Sequence, residues 1–249
     1  MLDRKAFYGN IYSGESIYMI IDLNVKGKQV LVVGGGNESA RKVEALLTQQ
    51  CNIIVVADKV EKSIKQHADA GKIILELRKI ENVDFINKYH KLFLILATTD
   101  NRKLNREIVL FGKSHGYYVY AADDPEVSDF SHPSIINIGD TIQVAISTGG
   151  KSPLMGKTLR EQVEPIIKNS ISDLILNQIK LQEQLRIEAQ RILPSPEHRK
   201  SFLIELMHDD EVNQFLEEKK ISEANTIAYE RLNRYLLRVS NIEEKLDKG

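Results

Sequence analysis

The chain has one cysteine, Cys51, in 249 residues. An intrachain disulfide framework and an all-cysteine metal cluster are therefore excluded. At the head of the apolar run 51–56, this cysteine reads as a small buried hydrophobe. A surplus of one charge is also missing. The 34 Lys and Arg stand against 35 Asp and Glu, for a formal net charge of −1. That balance gives no global attraction to nucleic acid or to an acidic membrane surface. No apolar run reaches the roughly eighteen residues that a membrane-spanning helix needs. The opening MLDRKAFYGN lacks the positive segment and apolar run of a secretory signal, so a cytoplasmic location is expected. The six histidines, at 67, 90, 115, 132, 198 and 208, form neither H-E-x-x-H nor a His/Cys cluster. No permanent metal site is expected. What remains is an ordinary globular composition, 42% hydrophobic and 28% charged, long enough for one large domain or two modest ones.

The first strong strand pattern covers 29–33. It runs into Gly34-Gly35-Gly36 and a helical segment, 38–49, with Ala40, Val43 and Leu47 along one side. Strand patterns then recur at 51–56, 72–77, 92–97 and 117–121. Helical segments at 61–70, 83–89 and 101–111 lie between them. This alternation predicts right-handed crossovers and a parallel sheet covered on both faces. Two more short strands are expected at 134–136 and 141–147, around an Asn137-Ile138-Gly139-Asp140 turn. Beyond Pro153 the composition shifts to Leu, Glu, Lys, Gln and Arg, with only Gly156 and Gly249 as glycines. Leu159, Val163 and Ile166 have helical spacing, as do Leu174, Gln178 and Leu181. Pro194 and Pro196 interrupt the pattern, and Asp209-Asp210 marks another helix start. The expected organisation is an extension over 1–17, a Rossmann domain over 18–114, a central segment over 115–152 and a helical domain over 153–249.

Gly34-x-Gly36-x-x-Ser39 between a strand and a helix is a dinucleotide-binding signature. The first glycine makes the tight turn, and Gly36 lets the backbone approach a pyrophosphate. Small Ser39 lets the helix sit close to the sheet. Backbone N–H groups of Gly35, Asn37 and Glu38 at the helix N-terminus supply the anion site. Asp58, twenty-two positions after Gly36, ends the second strand, where a carboxylate accepts ribose hydroxyls and repels a 2′-phosphate. Lys59 beside it has the opposite preference, so NAD and NADP both stay open on the residues alone. Thr98 and Thr99 follow the fourth strand at the sheet's carboxyl edge and are candidate cofactor contacts. Asp100 or Asn101 is expected to cap the next helix. His132, in Phe130-Ser131-His132-Pro133, reads as a loop histidine bonded to backbone, with a proton shuttle or transient metal contact as the alternative.

Several stretches together resemble the precorrin-2 dehydrogenases of sirohaem synthesis, including the N-terminal module of sirohaem synthase. They are Asp22-Leu23-Asn24-Val25-Lys26-Gly27-Lys28, Gly34-Gly35-Gly36 with Arg41-Lys42, and Ala97-Thr98-Thr99-Asp100 with Asn105. Asp123-Asp124-Pro125, Pro133-Ser134-Ile135-Ile136 and Ser147-Thr148-Gly149-Gly150-Lys151-Ser152-Pro153 complete the set. The likeness covers about residues 18 to 165, and its last stretch is the most specific. It departs at Tyr120, where family members carry Asn, and at Glu38-Ser39, where they continue Val-Ala.

The resemblance implies an α/β fold, with a Rossmann-type parallel sheet, a small dimerisation segment and a helical C-terminal domain closing over a tetrapyrrole cleft. It implies oxidation of precorrin-2 to sirohydrochlorin with NAD as hydride acceptor, by a homodimer. Some members also insert Fe2+, so a bifunctional dehydrogenase and ferrochelatase is the first alternative. The family's functional aspartate falls on Asp123, as proton acceptor. A free carboxylate is a weak base, so desolvation or neighbouring Asp124 would have to strengthen it. Thr148, Gly149, Lys151 and Ser152 are implied substrate contacts, offering hydroxyls, N–H groups and a cation to the substrate's carboxylates. A dinucleotide-sensing regulatory module is the alternative from another class.

Overall fold

The strand–helix alternation expected from Gln29 onward is the order found in the computed structural model, which describes residues 19–246. The expected extension over 1–17 lies outside the described residues. Strand β1 (Gln29–Val33) leads into helix α1 (Asn37–Leu47), then β2 (Asn52–Ala57), α2 (Lys62–Asp69) and β3 (Ile74–Leu77). A 3-10 turn (Asp84–Lys88) precedes β4 (Leu92–Ala97), α3 (Arg102–Ser114) and β5 (Tyr118–Ala121). These five strands form one parallel sheet in the order β3-β2-β1-β4-β5. The chain reverses direction across the sheet between β1 and β4, the point where open α/β sheets bind ligands outside their carboxyl ends.

Alternate residues of β1 build the two faces. Leu31 and Val33 pack with Leu104, Ile108 and Phe85, whereas Val30 and Val32 pack with Val43, Leu46 and Ile64. All four β1 residues are fully buried, which is why the strands read as unbroken apolar runs. Each such side chain contributes about 1.5–3 kcal/mol of burial free energy.

The chain divides differently from the expected boundaries at 114 and 152. One unit holds the residues up to Pro133 together with Ser147–Pro153; the other holds Ser134–Ile146 and the residues from Leu154 on. Tyr118–Ala121 belongs to the sheet because β5 pairs with β4, Ala97 opposite Ala121. Its outer edge is sealed by the following turn. The N–H of Val119 donates to Asp129 Oδ2 (3.0 Å) and that of Ala121 to Ser128 Oγ (2.9 Å). Such sealing removes an open edge that would otherwise pair with another chain.

In the second unit, β6 (Ser134–Ile138) and β7 (Ile142–Ile146) form an antiparallel two-stranded sheet. The first of these strands is longer than expected: Asn137 and Ile138, read as turn residues, pair with Gln143 and Ile142. Gly139, at φ +59°, begins the reversal, so three residues, 139–141, make the turn. Helices α4 (Pro153–Ser170), α5 (Asp173–Ile192), α6 (Pro196–Met207), α7 (Asp210–Glu217) and α8 (Ile221–Leu246) follow. Ser172, Ser195 and Asp209 cap α5, α6 and α7 through side-chain oxygens. The α5 stripe that reaches the core is Leu181, Leu185 and Ala189, against Phe202, Leu206, Ala228 and Leu232. Gln178 instead donates to Asn213 Oδ1 (2.6 Å) and the Met207 carbonyl (2.9 Å). Leu159 and Ile166 of α4 stay exposed. Among the described residues no helix is long and apolar enough to cross a membrane.

Candidate functional site

The three glycines differ in what surrounds them. Gly34 has φ +125°, and a Cβ there would lie 2.6 Å from the Thr98 carbonyl oxygen. At Gly35 a Cβ would lie 1.9 Å from the Lys59 carbonyl oxygen. Both glycines are required by the close approach of β1's end to neighbouring backbone. Gly36 is the N-cap of α1, with no side-chain cap, and among the described residues a Cβ there would meet nothing within 4 Å. The first N–H groups of α1 therefore border open space, a place that fits a dinucleotide pyrophosphate. Residues Gly34, Gly35, Gly36, Asn37 and Glu38 are the ones that would hold it.

Asp58 and Lys59 lie beside this turn, since Gly35 packs on the Lys59 backbone and accepts a hydrogen bond from Glu61 N–H (2.8 Å). Both side chains are exposed. Asp58 Oδ1 accepts from the Lys59 N–H (2.9 Å), which orients the carboxylate.

Thr98 departs from its expected part in cofactor binding. Its hydroxyl is buried beneath the turn, 2.8 Å from Ser39 Oγ, and donates to the Val33 carbonyl (3.0 Å). It ties β4 to β1 and α1. Ser39 has no exposure and meets the expectation of a small residue that lets the helix approach the sheet.

Thr99 faces another partner. Asn105, on the buried side of α3 and only 1% exposed, donates to the Thr99 carbonyl and to Asp123 Oδ1, both at 2.8 Å. Asn101, rather than Asp100, caps α3 through the Leu104 N–H (3.1 Å). Asp123 is exposed just past β5, and its Oδ2 has no partner among the described residues. Asp124 is different: it is buried, its carboxylate lies 3.7 Å from Arg102, and its carbonyl accepts from Ser128 Oγ (3.0 Å). Of the two aspartates, Asp123 is the one open to a ligand.

A second cluster was not legible as a unit. Lys42, 7% exposed, pairs with Glu38 (3.4 Å), which also holds Arg41 (3.2 Å). The Lys42 ammonium lies 4.4 Å from the centre of the Tyr120 ring. Burial pushes the Lys42 pKa below the ordinary lysine value, with Glu38 opposing. His132 packs edge-on to Tyr120 (4.8 Å) and Phe130 (5.4 Å) instead of bonding to backbone. Crowding of its ring, then the Lys42 and Arg41 charges, hold its pKa below the usual histidine value, although the residue keeps substantial exposure. Tyr120 thus fills an apolar place between Lys42 and His132.

In the 147–153 loop, Gly149 and Gly150 adopt φ +60° and +75°. The Thr148 hydroxyl donates to the Ser152 carbonyl (3.2 Å) and accepts from the Ser152 N–H (3.1 Å). Thr148 therefore staples the loop. Lys151 is exposed. Among the described residues no group of three or more His, Cys, Asp or Glu side chains is arranged to hold a metal ion.

Residues 21–134 match the family described as putative NAD(P)-binding, and residues 140–164 match the sirohaem biosynthesis protein central family. The siroheme synthase of Nitrosococcus oceani is 34% identical over 157 residues, 63% of this chain and 32% of that protein. That of Methylococcus capsulatus is 32% identical over 185 residues, 74% of this chain and 37% of the relative. That of Actinobacillus pleuropneumoniae serotype 3 is 28% identical over 216 residues, 87% and 43% respectively. The chain thus spans between 32% and 43% of the length of these curated relatives. The solved structure of SirC, a precorrin-2 dehydrogenase, shares the fold, with a TM-score of 0.62 at 23% identity, covering 86% of this chain and 100% of that one. The glycine turn, the sheet order and the two matched segments agree: residues 21–134 are similar to the NAD(P)-binding family and residues 140–164 to the central family of sirohaem biosynthesis, the region shared with the siroheme synthases.

Proposed function

We propose that the chain oxidises precorrin-2 to sirohydrochlorin with NAD+. The observation that carries this reading is the placement of an open carboxylate, Asp123, at the same sheet edge as the open space at Gly36. Overall the substrate loses a hydride and a proton and gains a double bond, and NAD+ when bound supplies the hydride acceptor. Gly36 and the α1 N-terminus bind the pyrophosphate, and Asp58 takes the adenosine ribose. Asp123 Oδ2 receives the proton as general base, which typically contributes about 10² to 10⁴ in rate. Gly149, Lys151 and Ser152 meet substrate carboxylates, with Thr148 holding the loop in shape.

A homodimer belongs to the same proposal. Leu154 and Ile166 of α4 are exposed, and among the described residues β6–β7 pairs with no third strand, leaving edges that a second copy can cover.

The test is anaerobic turnover of Asp123→Asn and Asp124→Asn, each checked for NAD+ affinity by calorimetry. Asp123→Asn is expected to lose about 10² to 10⁴ in turnover with affinity nearly unchanged. If it turns over as wild type does, Asp123 is not the base. Adding Fe2+ to preformed sirohydrochlorin, as substrate, measures metal insertion separately.

A further inference from the structure

We propose that Asn105 is the positioning residue of Asp123, an inference that rests on the reading of Asp123 as the base. The carboxamide of Asn105 has two N–H donors and one oxygen with two lone pairs. All four are used. Nδ2 donates to the Thr99 carbonyl and to Asp123 Oδ1, each at 2.8 Å. Oδ1 accepts from the Thr99 N–H (3.2 Å) and from Thr99 Oγ1 (2.6 Å). A flipped amide would set its donors against two donors and its oxygen against a carbonyl and a carboxylate, so the network fixes the orientation. Thr99 Oγ1 in turn accepts from the Asn101 N–H (3.2 Å).

This arrangement joins three segments that the chain brings to the carboxyl edge separately: the ends of β4 and β5 and the first turns of α3. Asp123 is otherwise exposed on a short turn. A charge-assisted bond from a buried, fully committed donor is what restricts its carboxylate to one direction. It occupies Oδ1 and leaves Oδ2 as the oxygen that meets substrate. Asn105 does not touch the reacting atoms itself; its effect passes through Asp123.

A double-mutant cycle separates this role from a general structural one. Asn105→Ala is expected to lower kcat about tenfold to a hundredfold, the cost of displacing a catalytic group by about an ångström. KM for NAD+ and for precorrin-2 is expected to stay within about twofold of wild type, since neither the glycine turn nor the 147–153 loop is altered. In an Asp123→Asn background the same substitution is expected to cost nothing further. Thermal melting and NAD+ calorimetry establish that each variant is folded. Asn105→Asp is the second variant, for use if Asn105→Ala does not fold. It keeps the size and the acceptor toward Thr99 but turns the donor facing Asp123 into a second carboxylate, and the same cycle applies. Losses that add in full across the cycle, or an unchanged kcat in a folded Asn105 variant, overturn the inference while leaving the oxidation intact. Wild-type protein that binds NAD+ but never oxidises precorrin-2 overturns the underlying reading, and this role for Asn105 with it.

Discussion

Three adjacent glycines give two different responses to one added methyl group. In Gly36→Ala the new Cβ meets no heavy atom of the described residues within 4 Å, and the backbone, at φ −79°, suits alanine. Replacing glycine by alanine at an N-cap costs less than about 1 kcal/mol. For a chain of this size that lowers the melting temperature by less than about 2–4 °C. The same methyl enters the space assigned to the pyrophosphate. Overpacking of that kind costs about 1–3 kcal/mol, or about fivefold to a hundredfold in Kd for NAD+. Gly35→Ala reverses the pattern. Its Cβ would sit 1.9 Å from the Lys59 carbonyl oxygen and 2.8 Å from Val60 Cγ1, so the turn has to shift. Its stability loss is about 1–3 kcal/mol or more. Gly34→Ala adds an unfavourable φ of +125° to a 2.6 Å approach to Thr98 and belongs with Gly35→Ala. Thermal melting and calorimetry with NAD+, applied to all three, read both effects. Unchanged NAD+ affinity in folded Gly36→Ala refutes the assignment of the open space to the cofactor.

Asp58→Asn keeps the acceptor for the Lys59 N–H but removes the charge. The ratio of kcat/KM for NAD+ over NADP+ is expected to fall about tenfold or more, the worth of a hydrogen bond to a charged group, and an unmoved ratio shows that coenzyme choice lies elsewhere. Thr98→Val is expected to cost about 1–3 kcal/mol of stability, because Ser39 Oγ loses its buried partner. NAD+ affinity should hold in that variant, and a large loss would return Thr98 to the cofactor contacts. His132 has a folded pKa near 4 against an ordinary 6.5, so the unfolded chain binds more protons between those values. Its contribution to stability is present above about pH 6.5 and lost as pH falls toward 4, by less than a full proton's worth because the residue is partly exposed. His132→Phe is expected to flatten urea-denaturation stability over that range; an identical pH dependence in wild type and variant contradicts this.

The sheet was legible because both of its faces are buried. The runs at 29–33, 51–56 and 92–97 carry apolar residues without alternation, and the glycine turn marks where the first of them ends. Helix starts were legible where a capping oxygen stands before an apolar run, as at Asn101 and Asp209. Domain boundaries were not. Whether Tyr118–Ala121 joins the sheet depends on pairing with β4 and on Ser128 and Asp129 sealing its edge, contacts that the local pattern does not encode. Thr98 and Thr99 look alike in sequence, yet alternation along the strand end sends one hydroxyl under the turn and the other toward Asn105. Asn105 left a signal that could have been read: an amide amid Leu104, Ile108 and Val109 on the buried stripe of α3 must find partners for four hydrogen bonds. The two aspartates were indistinguishable until Asp124 proved buried beside Arg102 and Asp123 exposed.

The central claim is tested most directly by mixing the wild-type chain anaerobically with NAD+ and enzymatically generated precorrin-2, and following NADH absorbance together with the sirohydrochlorin spectrum. One NADH is predicted for each sirohydrochlorin formed, at a rate proportional to protein concentration. Binding of NAD+ with no change in either spectrum would contradict the account.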